Sequence, residues 1–185
     1  MDITSTKPGW AEQDPEVWWQ NLCIASKKLI SENNIDKKDI KGIGISYQMH
    51  GLVVVGKDLK PLRPSIIWCD SRAIEIGDQL FKTAGAEKCV EHLLNSPGNF
   101  TLSKLIWIKE NEPEIYNRLL EDAGIDPSLV PEIRPSFSEQ GIVNKQGAVE
   151  SGLPESIPIM YRAGDQPNNA LSLNVMEPGQ IAATG

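Results

Sequence analysis

Apolar positions along the chain alternate between two spacings. Between Asp14 and Asn34 they fall at helical intervals, at Trp18, Trp19, Leu22, Cys23, Leu29 and Ile30. Asp14, Pro15 and Glu16 supply an N-cap, a proline at the first helical position and an acid in the first turn, and Asn33 with Asn34 supplies a stop. The pattern then shortens. Ile40 to Ser46, Leu52 to Val55 and Ser65 to Trp68 are brief apolar runs that read as strands, with Gly56-Lys57-Asp58 as a turn. Helical spacing returns from a cap at Asp70 or Ser71 to about Thr83, and again over Ala86 to Leu94. Asn95 to Asn99 is loop composition. A further helix opens at Thr101 or Ser103 and stops before Pro113, and Glu114 to Ala123 follows it, closed by Gly124. From Asp126 to Pro158 prolines are dense and no period holds. A strand over Ile157 to Tyr161, a turn over Arg162 to Pro167, a helix over Asn168 to Val175 and a last strand over Gln180 to Ala183 complete the reading. Strands alternating with helices predict an α/β fold.

Composition adds exclusions. Lys+Arg 18 against Asp+Glu 25 leaves a net charge of −7, which disfavours phosphate backbones and anionic lipid. The expected partner is a small molecule, not nucleic acid or membrane. No apolar run reaches the length of a transmembrane helix, and the opening residues lack the pattern of a signal peptide. Cys23, Cys69 and Cys89 are far apart and odd in number, which fits reduced thiols in the cytoplasm. With His50 and His92 as the only histidines, a structural zinc site is not expected.

Three segments carry candidate chemistry. Tyr161-Arg162-Ala163-Gly164-Asp165-Gln166 ends an apolar strand in a glycine and a carboxylate. In α/β sheets ligands gather at the carboxyl ends of strands. Asp165 there either accepts a proton from a substrate hydroxyl or caps the next helix. Gln48-Met49-His50-Gly51 links two predicted strands. His50 either bonds a polyol hydroxyl or is a half-buried histidine satisfied by a carbonyl. In Trp68-Cys69-Asp70-Ser71-Arg72, the indole either walls the carbon face of a sugar or belongs to the core, and Asp70 and Arg72 either hold hydroxyls or pair with each other. There is no P-loop, no nucleophile elbow and no complete dinucleotide fingerprint.

Taken in order, these segments resemble the FGGY family of sugar kinases, and within it those acting on D-xylulose. The matching text is Pro8-Gly9-Trp10-Ala11-Glu12-Gln13-Asp14-Pro15 with Trp18-Trp19, then Gly44-Ile45-Ser46-Tyr47-Gln48-Met49-His50-Gly51, then Leu62-Arg63-Pro64-Ser65-Ile66-Ile67-Trp68-Cys69-Asp70-Ser71-Arg72. Lys104-Leu105-Ile106-Trp107, Glu110-Asn111-Glu112-Pro113-Glu114, Ala163-Gly164-Asp165-Gln166 and Glu177-Pro178-Gly179 continue it.

The resemblance implies an RNase H-like, actin/hexokinase-type ATPase fold, of which this chain is an incomplete N-terminal sugar-binding domain. It implies ATP-dependent phosphorylation of D-xylulose to D-xylulose 5-phosphate with Mg²⁺. Asp165 falls on the family's catalytic aspartate. Met49 and His50 fall on its sugar-contacting pair, Trp68 on a position lining the sugar pocket, and Asn99 near it. Residues 1–158 would be part of the N-terminal domain. Residues 159–185 would carry the catalytic turn and the start of the crossover to an ATP-binding domain. The family's phosphate-binding hairpin would precede Pro8, a strand-and-helix segment after Glu112-Pro113 looks shortened, and the ATP loops would follow Gly185. The cofactor-binding residues are therefore unknown, and the chain alone is expected to be inactive. A related kinase for ribulose or glycerol, or a non-catalytic sugar-binding fragment, is the alternative. The oligomeric state, including a homodimer, stays open.

Overall fold

The computed structural model describes residues 2–123, 134–177 and 179–181. In chain order the strands are β1 (Glu12–Gln13), β2 (Ile43–Tyr47), β3 (Ser65–Ile66), β4 (Gly141–Ile142) and β5 (Pro158–Gly164). The helices are α1 (Pro15–Glu32), α2 (Ile74–Ala84), α3 (Ala86–Leu93), α4 (Thr101–Asn111), α5 (Pro113–Ala123), α6 (Lys145–Ser151) and α7 (Asp165–Ser172). They belong to two compact units. One comprises residues 2–17 and 50–123; the other comprises 18–49, 134–177 and 179–181.

In the first unit β1 and β3 pair antiparallel, with Glu12 opposite Ile66. The strand expected over Leu52 to Val55 is reduced to single bridges, Leu52 with Ile66 and Val55 with Pro61. The one expected over Ser65 to Trp68 keeps only Ser65 and Ile66. Leu52, Val54, Ile66 and Ile108 form the core, with Leu105, Trp107, Ile115 and Tyr116 packed on it. The helix expected from Asp70 or Ser71 begins at Ile74, with no side-chain cap. Asp70 is committed elsewhere: its buried carboxylate accepts the Ala11 N–H at 2.6 Å and grips Arg72 through two oxygens. The helices expected over Ala86 to Leu94, from Thr101 and over Glu114 to Ala123 form as α3, α4 and α5. Gly124, their expected stop, lies outside the described residues.

Two features of this unit matter for the site. Gly77, in α2, lies against the 3-10 turn Pro97–Asn99 so closely that a Cβ would overlap the backbone of Gly98 and stand 2.8 Å from the carbonyl carbon of Pro97. The second is Lys104, in α4, whose side chain is wholly buried. Burial pushes its ammonium down to about 8; Asp70 and Cys69 oppose that shift and Arg72 adds to it.

In the second unit β5 is the middle strand, parallel to β2 and antiparallel to β4. β5 runs further than the expected Ile157 to Tyr161. The turn expected over Arg162 to Pro167 is instead the last residues of β5 and the first turn of α7. Pairing with β2 as far as Tyr47 opposite Gly164 keeps the strand extended. Pro167 falls in the first turn of α7, where no backbone N–H is needed. The helix expected over Asn168 to Val175 is therefore shifted toward the N-terminus. The aperiodic stretch contains β4 and α6. Asn144 caps α6 by accepting the Gly147 N–H at 2.7 Å, and Gly152 closes it at φ 78°. Within this unit α1 packs on α6: the Trp19 indole donates to Glu150, and Ser26 Oγ donates to the Ser151 carbonyl at 2.8 Å. Among the described residues β2 is a sheet edge, with Ile45 and Tyr47 exposed. Gln180 and Ile181 form no strand, and the rest of that expected strand, like residues 126–133 of the aperiodic stretch, lies outside the described residues.

Gly77→Ala should destabilise the chain. The alanine gains roughly 1 kcal/mol of helix propensity, but its methyl meets rigid backbone, and overpacking costs about 1–3 kcal/mol. A lower urea midpoint with unchanged slope is the expected result. Lys104 gives a pH signature. Below pH 8 it is charged in both states and its burial cost is fully present. As pH rises from about 8 toward the ordinary value of 10.5, the folded state sheds the proton first, so stability rises. Urea melts between pH 7 and pH 10 should show this rise, and Lys104→Met should lack it.

Candidate functional site

The carboxyl end of the β2–β5 pair brings two of the expected residues together. Because the strands are parallel and in register at Tyr47 and Gly164, both chains leave the sheet at the same level. One delivers Gln48 and Met49, the other Asp165. Met49 packs on Gly164 so tightly that a Cβ there would collide with its Cγ and Sδ. This explains the glycine before the carboxylate.

Asp165 is the first residue of α7, and the N-cap is Gly164. The capping alternative is thus met only in part: Asp165 Oδ1 accepts the Gln166 N–H at 3.0 Å, and the carboxylate is exposed. The turn beneath it is held by Asn168, a residue the sequence reading passed over. Its Nδ2 donates to the carbonyls of Ala163 and Gly164, each at 3.0 Å, and its Oδ1 accepts from the Tyr161 hydroxyl at 2.7 Å. All the hydrogen-bonding capacity of that amide that these bonds use is spent on the β5–α7 junction. The available signal was an asparagine placed just after the Gly-Asp-Gln-Pro turn, where Asn side chains commonly bond nearby backbone.

His50 and Trp68 lie in the other unit. His50 has φ 64°, a left-handed conformation uncommon outside glycine. Its imidazole stacks on Phe100 with centroids 4.6 Å apart and planes 3° from parallel. Trp68 is 56% exposed, so its indole is not core packing. Its carbonyl accepts from Asn99 Nδ2. Thr101 Oγ1 donates to the Gly51 carbonyl at 3.2 Å. Lys104 Nζ donates to the carbonyls of His50 at 2.9 Å and Asn99 at 3.0 Å. In the sequence Lys104 stands as a cation inside an apolar helical stretch and within the text that resembles the family, with no role attached to it.

Asp70 and Arg72 pair with each other. Glu12 Oε1 lies 2.7 Å from Arg72 Nη1, off the N–H direction, so this is an ion contact rather than a hydrogen bond. Arg63 bridges Glu12 and Glu112, and the Arg72 guanidinium stacks on Trp10 with its carbon 3.8 Å from the ring centroid. These groups are turned into the unit.

The FGGY family of carbohydrate kinases, N-terminal domain, matches residues 1–120. The xylulose kinase of Bacillus subtilis (strain 168) is 41% identical over 121 residues, covering 63% of this chain and 23% of that protein. The xylulose kinase of Escherichia coli (strain K12) is 34% identical over 131 residues, covering 71% of this chain and 25% of that protein. The solved xylulose kinase of Rhodospirillum rubrum superposes with a TM-score of 0.83 at 24% identity, over 96% of this chain and 45% of that one, which shows the sugar-kinase, actin/hexokinase-like fold. The chain thus spans about a quarter of the length of these curated relatives. From the match over most of its length, the chain belongs to the FGGY family of carbohydrate kinases.

Proposed function

We propose that the whole protein transfers the γ-phosphoryl group of ATP to the terminal hydroxyl of D-xylulose, giving D-xylulose 5-phosphate and ADP, and that this chain supplies its sugar-binding part. The observation that carries the reading is the strand-end arrangement: an exposed carboxylate at Asp165 beside Met49, on the carboxyl end of a parallel pair. The printed names of the relatives, xylulose kinases, support the choice of sugar.

In this mechanism a carboxylate oxygen of Asp165 accepts the proton of the sugar hydroxyl. The hydroxyl oxygen forms its bond to phosphorus as the bond to the ADP oxygen breaks. Asn168 keeps the Gly164–Asp165 turn in place while the carboxylate gains its proton. Met49, His50 and Trp68 bind the sugar, with the indole giving an apolar wall to its carbon face. Mg²⁺ would neutralise charge on the transferring phosphoryl group. Among the described residues no group of three His, Cys, Asp or Glu could hold a metal ion. The reaction is assigned to the cytoplasm, where ATP is at hand.

The test is steady-state phosphorylation by the whole protein over a panel of xylulose, ribulose and glycerol. Xylulose should give the highest kcat/KM; a preference for ribulose or glycerol overturns the assignment of the sugar. Asp165→Asn should lower kcat by roughly 10²–10⁴-fold, the usual worth of a general base, with the sugar KM little changed. Gly164→Ala should leave the chain folded, because a thioether yields more easily than backbone. It should cost about 10–100-fold in kcat/KM through displacement of Met49. The 185-residue chain alone should phosphorylate nothing.

A further inference from the structure

We propose that Lys104, with Thr101 beside it, is a positioning residue that presents His50 and Trp68 to the sugar by fastening the loops that carry them. The inference rests on the function proposed above and deepens it.

The starting point is a conformation that needs support. His50 holds φ 64°, where a residue with a Cβ is strained, and the following Gly51 relaxes nothing at His50 itself. Its carbonyl is held by Lys104 Nζ at 2.9 Å. The same ammonium holds the carbonyl of Asn99 at 3.0 Å. Asn99 then reaches back through Nδ2 to the carbonyl of Trp68. Thr101 Oγ1 takes the carbonyl of Gly51 at 3.2 Å, and Phe100 supports the imidazole face. Residues 50–51, 68 and 99–101 are thereby joined through backbone carbonyls, which leaves the side chains of His50 and Trp68 to be aimed by their loops.

The chemistry of the clamp argues against simple packing. An ammonium buried in a core is costly unless its N–H groups are used, and an aliphatic side chain of similar length would fill the same space at lower cost. Two carbonyls from separate loops at one nitrogen give the charge a purpose that packing does not. Lys104 is itself wholly buried, so it acts on the sugar only through its neighbours.

The test uses the whole protein and the sugar it phosphorylates best. Lys104→Met should raise the sugar KM by roughly 10–100-fold, about the worth of one charge-assisted hydrogen bond, with the ATP KM unchanged. Lys104→Gln, which keeps an amide donor, should recover part of the loss. Thr101→Val should raise the sugar KM a few-fold in the same selective way. Sugar KM unchanged in the folded variants, or sugar and ATP KM rising together, overturns the proposal. Should Lys104→Met not fold, Thr101→Val decides, and an unchanged sugar KM there overturns it. If the unsubstituted protein prefers another sugar, the proposed function fails while the clamp is still read with that sugar. If it phosphorylates none of the panel, calorimetry reads the clamp: weaker sugar binding by the variants upholds it, and no binding by any form overturns both.

Discussion

A buried ion pair organises the first unit. Asp70 and Arg72 are only two residues apart, yet their side chains meet with almost no exposure and draw in distant segments. Asp70 takes the Ala11 N–H, Arg72 contacts Glu12 and lies over Trp10, and Trp10 meets Trp107 edge to face at 5.3 Å. Arg63 extends the network to Glu112. Such a pair contributes little net stability when intact, but losing one partner strands a charge at a cost of about 3–5 kcal/mol. The network joins the segment around Ala11 and Glu12, the exit of β3 and the α4–α5 pair.

That arrangement sets the conditions for the loops. The exit of β3 carries Trp68, and α4 carries Thr101 and Lys104. Gly77 brings α2 onto the 3-10 turn that ends at Asn99. The loop carbonyls are then taken by side chains from a regular helix, so short loops inherit the rigidity of α4. The second unit solves the corresponding problem differently. There a parallel pair in register brings two strand exits to one level, and Asn168 closes the junction between β5 and α7. In both units a side-chain amide or ammonium bound to backbone carbonyls holds a candidate site residue in place.

Much of this was legible in the residues. The caps of α1, the stops before Pro113 and the spacing of α3, α4 and α5 are local properties, and they appear where the pattern puts them. The Ala163-Gly164-Asp165-Gln166 text marked a strand-end carboxylate, and the ordered segments carried the family. The strands were read less well. Leu52 to Val55 has the composition of a strand and makes only isolated bridges. α6 was missed because seven residues are too few to show a period, although Asn144 and Gly152 bracket it with the right caps.

By itself the sequence determined what depends on near neighbours: the limits of α1, α3, α4 and α5, the acidic balance and the ordered text of the FGGY family. The tertiary structure alone decided the partners of the charged and polar groups. Asp70 could have capped a helix, and it became one arm of a buried pair because Arg72, Glu12 and Trp10 converge on it. Trp68 could have been core, and it is exposed, with its carbonyl accepting from Asn99. Lys104 reads as an interruption in an apolar helix until the carbonyls of residues 50 and 99 are seen beside its nitrogen. Hydrogen bonds and ion pairs between residues far apart in the chain leave no periodic trace, since they depend on where folding brings atoms together.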